Sequence, residues 1–455
     1  MDILHVTSEL APIAKVGGLG DMLQGLSKAI LAKGHQLEVI LPKYDLLNCD
    51  QIEKFVLDIT SKDMSIWKGF VESIPVRFIE LNTVDSFKRG KIYGCPDDQF
   101  RFISFCHAVV EYLAQSGRQP DIIHLHDWHT AGIAGLIKER YPQLKGKIVF
   151  TIHNLAYQGL CTEEVFERLG WKDTKIKEGA LYNLMKGGIV FADYITTVSP
   201  RYADEILTTK LGGNLRPVLK KNQKKFCGIL NGIDNTYWNP ETDPFLPVKF
   251  SLHHLEGKKT VKKILRQRLS LIEENCPLVV AITRLVPQKG LELIKTALLR
   301  TLEWGGQFIL IGSPFDEKIN KDFYHLKRKL AGSPHIHLEL NYHEELSHLV
   351  YGGADLFLVP SIFEPCGLTQ LIAMRYGTVP LVRETGGLAD TVNQTNGFTF
   401  KNPKAEAIQE ALDKALSLWN SNQWEELMAT GMRENHSWDQ PAERYLEIYQ
   451  SIQSS

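Results

Sequence analysis

No stretch of this sequence approaches the roughly 18 consecutive apolar residues of a membrane span. Its start, Met1-Asp2-Ile3-Leu4-His5, has none of the basic residues, apolar core and small-residue cleavage site of a secretory signal. Charge of one sign is also missing: 52 Lys and Arg stand against 53 Asp and Glu, a formal net charge of -1. No global field therefore draws nucleic acid or an anionic membrane, and any anion site must be local. Seven scattered cysteines, odd in number and without a CxxC pair, argue against a disulfide framework and for a reducing, cytoplasmic compartment. The chain also lacks a DxD motif, a low-complexity segment and any sequence repeat.

What is present is 455 residues with 44% hydrophobic content, enough for two or three sizeable cores. Asp2 to Ser8 reads as a short apolar strand. A glycine turn follows, and Met22, Leu23, Leu26, Ala29 and Ile30 recur at helical spacing before Gly34 stops the helix. With Leu37 to Leu41 as the next strand this is a βαβ unit, which implies a parallel sheet. Further strands are expected at Ile122 to Leu125, Lys147 to Ile152, Tyr194 to Val198 and Lys225 to Leu230. A proline-rich loop over Asn231 to Pro247 leads to a second alternation: Leu278 to Thr283, Gln307 to Ile311, His335 to Leu340, Leu356 to Val359 and Val379 to Val382. Helix patterns cover Gly367 to Tyr376, Ala405 to Trp419 and Ala442 to Ile452. The basic stretch Lys258 to Arg268 places Val261, Ile264, Leu265 and Leu269 on one stripe, so its charges read as a solvated helix face rather than a nucleic-acid site.

Four constellations stand where open α/β domains bind ligands, beyond the carboxyl ends of strands. Lys15-Val16-Gly17-Gly18 and Thr385-Gly386-Gly387 are strand-to-helix turns able to aim backbone N–H groups at an anion, although a glycine pair there also fits a plain tight turn. Gly18-x-Gly20 is followed by Leu23 where a dinucleotide fingerprint needs glycine, which demotes nicotinamide chemistry. Arg284 and Lys289 form a cationic pair after a strand, suited to charge on a departing diphosphate. Glu364, in Phe363-Glu364-Pro365-Cys366-Gly367, is either a helix-dipole partner or a hydrogen-bonding group for sugar hydroxyls, with N–H groups near Cys366 and Gly367 orienting the same ligand. Cys366 is either an oxidation-sensitive or a buried, inert thiol.

His124-Leu125-His126-Asp127-Trp128-His129 resembles a metal site only superficially. A metallo-hydrolase of the HxHxDH kind needs its aspartate two residues after the second histidine, and here Asp127 follows His126 directly. No metal is expected, and no cofactor. His126 or His129 then fits a packed core histidine, while Asp127 and Trp128 suit a sugar, carboxylate to hydroxyls and indole to the ring face. His153 ends another strand and is open to a structural or a functional reading.

Taken together, KVGGLGD at 15–21, HLHDWHT at 124–130, TIHNLAYQG at 151–159, TTVSPRYA at 196–203, GILNGID at 228–234, TRLVPQKG at 283–290 and FEPCGLTQLIAMRYGTVPLVRETGGLADTV at 363–392 resemble bacterial glycogen synthases and plant starch synthases. The resemblance runs in order over nearly the whole chain. It implies an α/β protein of the GT-B class: two Rossmann-like, doubly wound parallel-sheet domains facing a deep interdomain cleft. The expected divisions are 1–241, 242–428 and a helical tail, 429–455, able to dock back on the N-terminal domain.

The resemblance further implies a retaining glucosyltransferase acting between a nucleotide sugar and the non-reducing end of an α-1,4-glucan, with ADP-glucose favoured over UDP-glucose. Lys15, Gly17 and Gly18 would approach the donor, Arg284 and Lys289 its diphosphate, and Glu364 the transferred glucose. His153 would lie at the glucosyl C6 hydroxyl and reacting centre, with Asp127 nearby. Asn231 matches the sugar pocket, Thr385, Gly386 and Gly387 the phosphate, and Tyr342 the nucleobase. Many broader relatives carry a second glutamate where this chain has Ile372, so ribose recognition comes from elsewhere. The segment between Leu81 and Phe100 is short beside some bacterial relatives. No motif bears on oligomeric state. Other nucleotide-sugar transferases, a phosphorylase with a pyridoxal phosphate lysine and a catalytically silent glucan binder are the competing readings.

Overall fold

Runs such as Ile3-Leu4-His5-Val6 and Val279-Val280-Ala281-Ile282 are apolar on both faces, as strands covered by helices on both sides must be. The computed structural model describes residues 1–82, 86–170 and 174–454 and places these runs at the centres of two sheets. The chain forms two compact units, Met1–Gly232 with Trp438–Ser455, and Ile233–Ser437.

The first unit holds β1 (Asp2–Val6), β2 (Gln36–Pro42), β3 (Glu53–Thr60), β4 (Met64–Val71), β5 (Ile74–Leu81), β6 (Ile122–His126) and β7 (Lys147–Ile152). After these come β8 (Leu160–Cys161), β9 (Lys177–Glu178), β10 (Leu181–Asn183), β11 (Tyr194–Thr197) and β12 (Phe226–Gly228). Nine strands form one sheet in the order β12-β11-β7-β6-β1-β2-β5-β4-β3, and β8-β10-β9 form a small separate sheet. From β12 to β5 neighbours are parallel; β4 and β3 extend the edge as an antiparallel meander. The chain order reverses at β1, so the crevice between β1 and β6 is a topological switch point. The Gly18–Ala32 helix buries Met22, Leu23, Leu26 and Ile30, and Gly34, at φ 82°, ends it in the left-handed conformation that glycine tolerates best.

The second unit carries β13 (Leu278–Ile282), β14 (Gln307–Ile311), β15 (Ile336–Glu339), β16 (Leu356–Val359), β17 (Val379–Arg383) and β18 (Phe398–Phe400). They form an all-parallel sheet in the order β15-β14-β13-β16-β17-β18, with its switch point between β13 and β16.

The division falls at Gly232, ahead of the 241/242 boundary expected from sequence, because Ile233 and Leu246 pack into the second unit's core and Asp243 is hydrogen-bonded there to His348 and Tyr376. The return to the first unit starts at Trp438, not at 429, since Met432 and the helix bearing Trp424 and Leu427 belong to the second unit. Tyr445 and Tyr449 of the final helix are buried in the first unit's core. On the basic helix, Glu256–Arg268, Lys259, Lys263 and Arg268 are exposed as expected of a solvated face, but Lys258 and Arg266 are buried. Lys258 Nζ donates to Gly352 O, Tyr376 O and Thr378 Oγ1, and burial pushes its pKa down to about 7. Among the described residues no helix is long and apolar enough to cross a membrane. Residues 83–85, within the short Leu81 to Phe100 segment, lie outside the described residues.

Candidate active site

In the first unit, the loops after β1, β6 and β7 bring Lys15, Gly17, Asp127 and His153 to the carboxyl ends of neighbouring strands. Gly17 caps the Gly18–Ala32 helix in extended backbone, and a Cβ there would meet nothing within 4 Å. The turn is not a bare anion cradle, however. Val16 N–H and Gly17 N–H donate to Glu9 Oε2 at 2.7 and 2.9 Å, and Tyr93 Oη donates to Glu9 Oε1 at 2.8 Å. Glu9 is buried, which raises its pKa against the pull of those donors. Lys15 pairs with Asp21 at 2.8 Å. Sequence reasoning missed Glu9 and Tyr93, since a lone acid and a lone aromatic carry no pattern.

Asp127 sits at φ 57°, ψ 179°, a region that is nearly glycine-only and costs an ordinary residue on the order of 1–3 kcal/mol. The strain aims its carboxylate at the next strand end, where Oδ1 accepts His153 N–H at 2.8 Å and Asn154 N–H at 3.4 Å. Burial pushes the Asp127 carboxyl up to about 7, against those two N–H groups. His153 Nε2 lies 3.1 Å from His126 Nδ1, and burial pushes the His153 pKa down to about 3, so its ring is neutral. Asn231, after β12, is buried with Oδ1 lacking a hydrogen-bond partner among the described residues.

Trp128 does not present its indole to a sugar. It is 6% exposed, packed against Phe102 and His129, with Gly159 so close that a Cβ there would lie 2.3 Å from the ring. Its first helical position turns it into the core. His129 is a packed histidine beside Phe102 and Tyr93.

In the second unit, Lys289 Nζ donates to Glu364 Oε2 at 2.5 Å, and Ser361 Oγ donates to the same oxygen at 2.8 Å. Two loops are laced together to make this pair. Ile362 N–H donates to Gln288 O at 2.8 Å, Gln288 Nε2 to Phe363 O at 3.1 Å, and Arg383 Nε to Ser361 O at 2.6 Å. Gly290, at φ 72°, lets the first loop approach: a Cβ would lie 2.3 Å from Pro360 O. Arg284 is exposed and makes no ion pair among the described residues. Tyr342 is 49% exposed beyond β15.

The Thr385-Gly386-Gly387 turn differs from the expected phosphate cradle. Gly387 N–H donates to Glu364 O at 3.2 Å and Thr385 N–H to Arg383 O at 2.9 Å, so these amides are used within the fold. The glycines serve close packing: Cβ atoms at Gly386 and Gly387 would stand 1.8 Å from Glu364 O and 2.2 Å from Cys366 O. Cys366 is buried, and Gly367 holds φ 78° before the Thr369–Arg375 helix.

Both units thus place polar and charged groups around a switch point, and the comparisons with known proteins say which family does so. The starch synthase catalytic domain matches residues 2–221, and glycosyl transferases group 1 matches residues 263–427. A glycogen synthase of Protochlamydia amoebophila is 45% identical, covering 99% of this chain and 99% of its own. The chain belongs to the glycogen and starch synthase family. A second relative, glycogen synthase 2 of Methylococcus capsulatus, is 44% identical over 99% of both chains. Among solved structures, the catalytic domain of starch synthase IV from Arabidopsis thaliana, bound to ADP and acarbose, matches with a TM-score of 0.96 at 42% identity, covering 100% of this chain and 99% of its own. Family membership makes the two units the Rossmann-like halves of the GT-B class.

Proposed function

We propose that this chain transfers glucose from ADP-glucose to the non-reducing end of an α-1,4-glucan with retention of configuration. The observation that carries this reading is the likeness over the full chain to a starch synthase catalytic domain bound to ADP and acarbose, the one a nucleoside diphosphate and the other a glucan-like oligosaccharide.

The residues support a division of labour. Arg284, exposed and unpaired among the described residues, supplies uncompensated positive charge for the diphosphate, while Lys289 adds charge shared with Glu364. At about 4 Å and an effective dielectric near 20, each such pairing is on the order of 4 kcal/mol. Glu364, held by Lys289 and Ser361, binds sugar hydroxyls. A retaining glycosidase uses two carboxylates about 5 Å apart, one as nucleophile. Here Glu364 is tied to Lys289 and Ser361 and the neutral His153 is a poor nucleophile for an anomeric carbon. The acceptor hydroxyl therefore attacks on the leaving-group face, its proton passing to the departing diphosphate oxygen as the C1–O bond breaks and the new glycosidic bond forms. The absence of DxD from the sequence favours transfer without a metal.

The test is diphosphate release from ADP-glucose and UDP-glucose, each with and without glycogen, with Arg284→Ala as control. Glycogen-dependent ADP release, reduced about a hundredfold or more in the variant, is expected. Release from UDP-glucose alone overturns the donor; release from neither overturns the activity and promotes a silent glucan binder.

A further inference from the structure

A chain of three imidazoles leads from the core to His153. β1 and β6 pair in parallel with His5 opposite His124, and His126 follows two residues later on the same face. His5 Nδ1 lies 2.9 Å from His126 Nε2, with the ring planes 13° from parallel and centroids 5.2 Å apart, so the contact runs edge to edge. His126 Nδ1 then lies 3.1 Å from His153 Nε2. We propose that His126, backed by His5, is a positioning residue that fixes the tautomer of His153, making Nε2 an acceptor and leaving Nδ1–H as the ring's remaining donor.

The argument is a count of protons. Burial holds all three rings neutral, so each has one N–H and one lone pair. His126 cannot donate to both neighbours or accept from both, so only two arrangements satisfy both contacts. Either every N–H points toward His153, or every N–H points toward His5. His5 Nε2 decides between them, since it is buried with no hydrogen-bond partner among the described residues. Pointing toward His5 would leave Nε2–H orphaned in the core, whereas pointing toward His153 leaves only a bare lone pair. Orphaned buried N–H groups are the rarer of the two. The protons therefore run His5 Nδ1–H to His126 Nε2, and His126 Nδ1–H to His153 Nε2.

His5, His124 and His126 also gather closely enough to suggest a metal, with ligand atoms within 4.8 Å of one another. Yet His124 uses Nδ1 with Tyr449 Oη at 2.7 Å and Nε2 with Thr151 Oγ1 at 2.6 Å, and His126 uses both nitrogens. An ion would have to break these contacts.

The catalytic consequence rests on His153 facing the transferred sugar; the tautomer does not. Long-range 1H–15N correlation on the full chain, with 15N-labelled histidine, should show His153 protonated at Nδ1. Protonation at Nε2, or stoichiometric metal in the purified protein, overturns the proposal. His126→Phe, which cannot donate, should lower kcat roughly 10–100-fold with KM for the nucleotide sugar little changed, as loss of an orienting partner does. His126→Asn, able to accept from His5 and donate to His153, should recover most of that loss. Full activity in His126→Phe while Arg284→Ala is impaired overturns the positioning role alone; full activity in both overturns the functional reading beneath it.

Discussion

Lys289 Nζ and Glu364 Oε2 stand 2.5 Å apart, and neither side chain sees much water: 19% of the lysine and 8% of the glutamate side chain are exposed. Removing one partner leaves the other as a poorly solvated charge, so Lys289→Met should destabilise the protein by about 3 kcal/mol. Lys289→Met with Glu364→Gln should cost less than the sum of the single variants, with a coupling of about 1 kcal/mol or more in urea denaturation. Additive losses would show that the contact is not an energetic pair. Both single variants should lose activity about a hundredfold or more.

Asp127 should set part of the pH dependence of stability. Its folded pKa of about 7 lies above the ordinary carboxylate value because of burial. Between about pH 4 and 7 the unfolded state releases a proton that the folded state keeps, so this group's contribution is whole below pH 4 and is lost as pH rises toward 7. Asn cannot ionise, yet its Oδ1 still accepts His153 N–H. The melting temperature of Asp127→Asn relative to wild type should therefore climb from pH 4.5 to pH 8. A flat difference across that range would place the titration elsewhere.

The parallel strands were legible because burial on both faces writes continuous apolar runs: β7, β14 and β16 occupy the expected residues. β3, β4 and β5 were not, since β4 pairs antiparallel with both its neighbours and such strands alternate, and Val56, Leu57 and Ile59 are exposed where an apolar run suggests a buried face. At the site, glycine turns and isolated charges pointed to the loops after β1, β13, β16 and β17. What sequence could not carry was how backbone groups are used. That Glu9 takes the Val16 and Gly17 amides, or that Gly387 N–H binds Glu364 O, depends on where chain segments meet in space. The His5–His126 contact likewise follows from strand register, and Trp128 from the direction in which a helix starts.

Glu9 should govern the order of the Lys15-Val16-Gly17 turn. Its carboxylate accepts from both amides through Oε2, and Tyr93 Oη, itself 2.7 Å from Ser8 Oγ, holds the other oxygen. In native-state hydrogen exchange, Val16 and Gly17 should be protected in the wild type. Glu9→Ala removes roughly 1–1.5 kcal/mol per hydrogen bond, which should speed their exchange about tenfold. Glu9→Gln keeps an acceptor oxygen and should fall between. Unchanged protection in Glu9→Ala would mean that the turn is held by its other contacts.

Gly17 and Gly387 should separate a glycine kept for a ligand from one kept for the fold. A Cβ at Gly17 meets nothing within 4 Å and its φ of -148° suits any residue, so Gly17→Ala should leave the melting temperature near that of the wild type. If the nucleotide sugar approaches that open backbone, the added methyl should raise its KM roughly tenfold, about 1.4 kcal/mol of binding. At Gly387 the added Cβ would stand 2.2 Å from Cys366 O, a backbone atom with no rotamer to change. Gly387→Ala should therefore cost about 1–3 kcal/mol of stability and shift the Glu364 loop with it, lowering kcat as well. Thermal melts and steady-state kinetics on the two variants decide the matter: a destabilised Gly17→Ala would make that glycine structural, and a kinetically silent one would move the donor away from the turn.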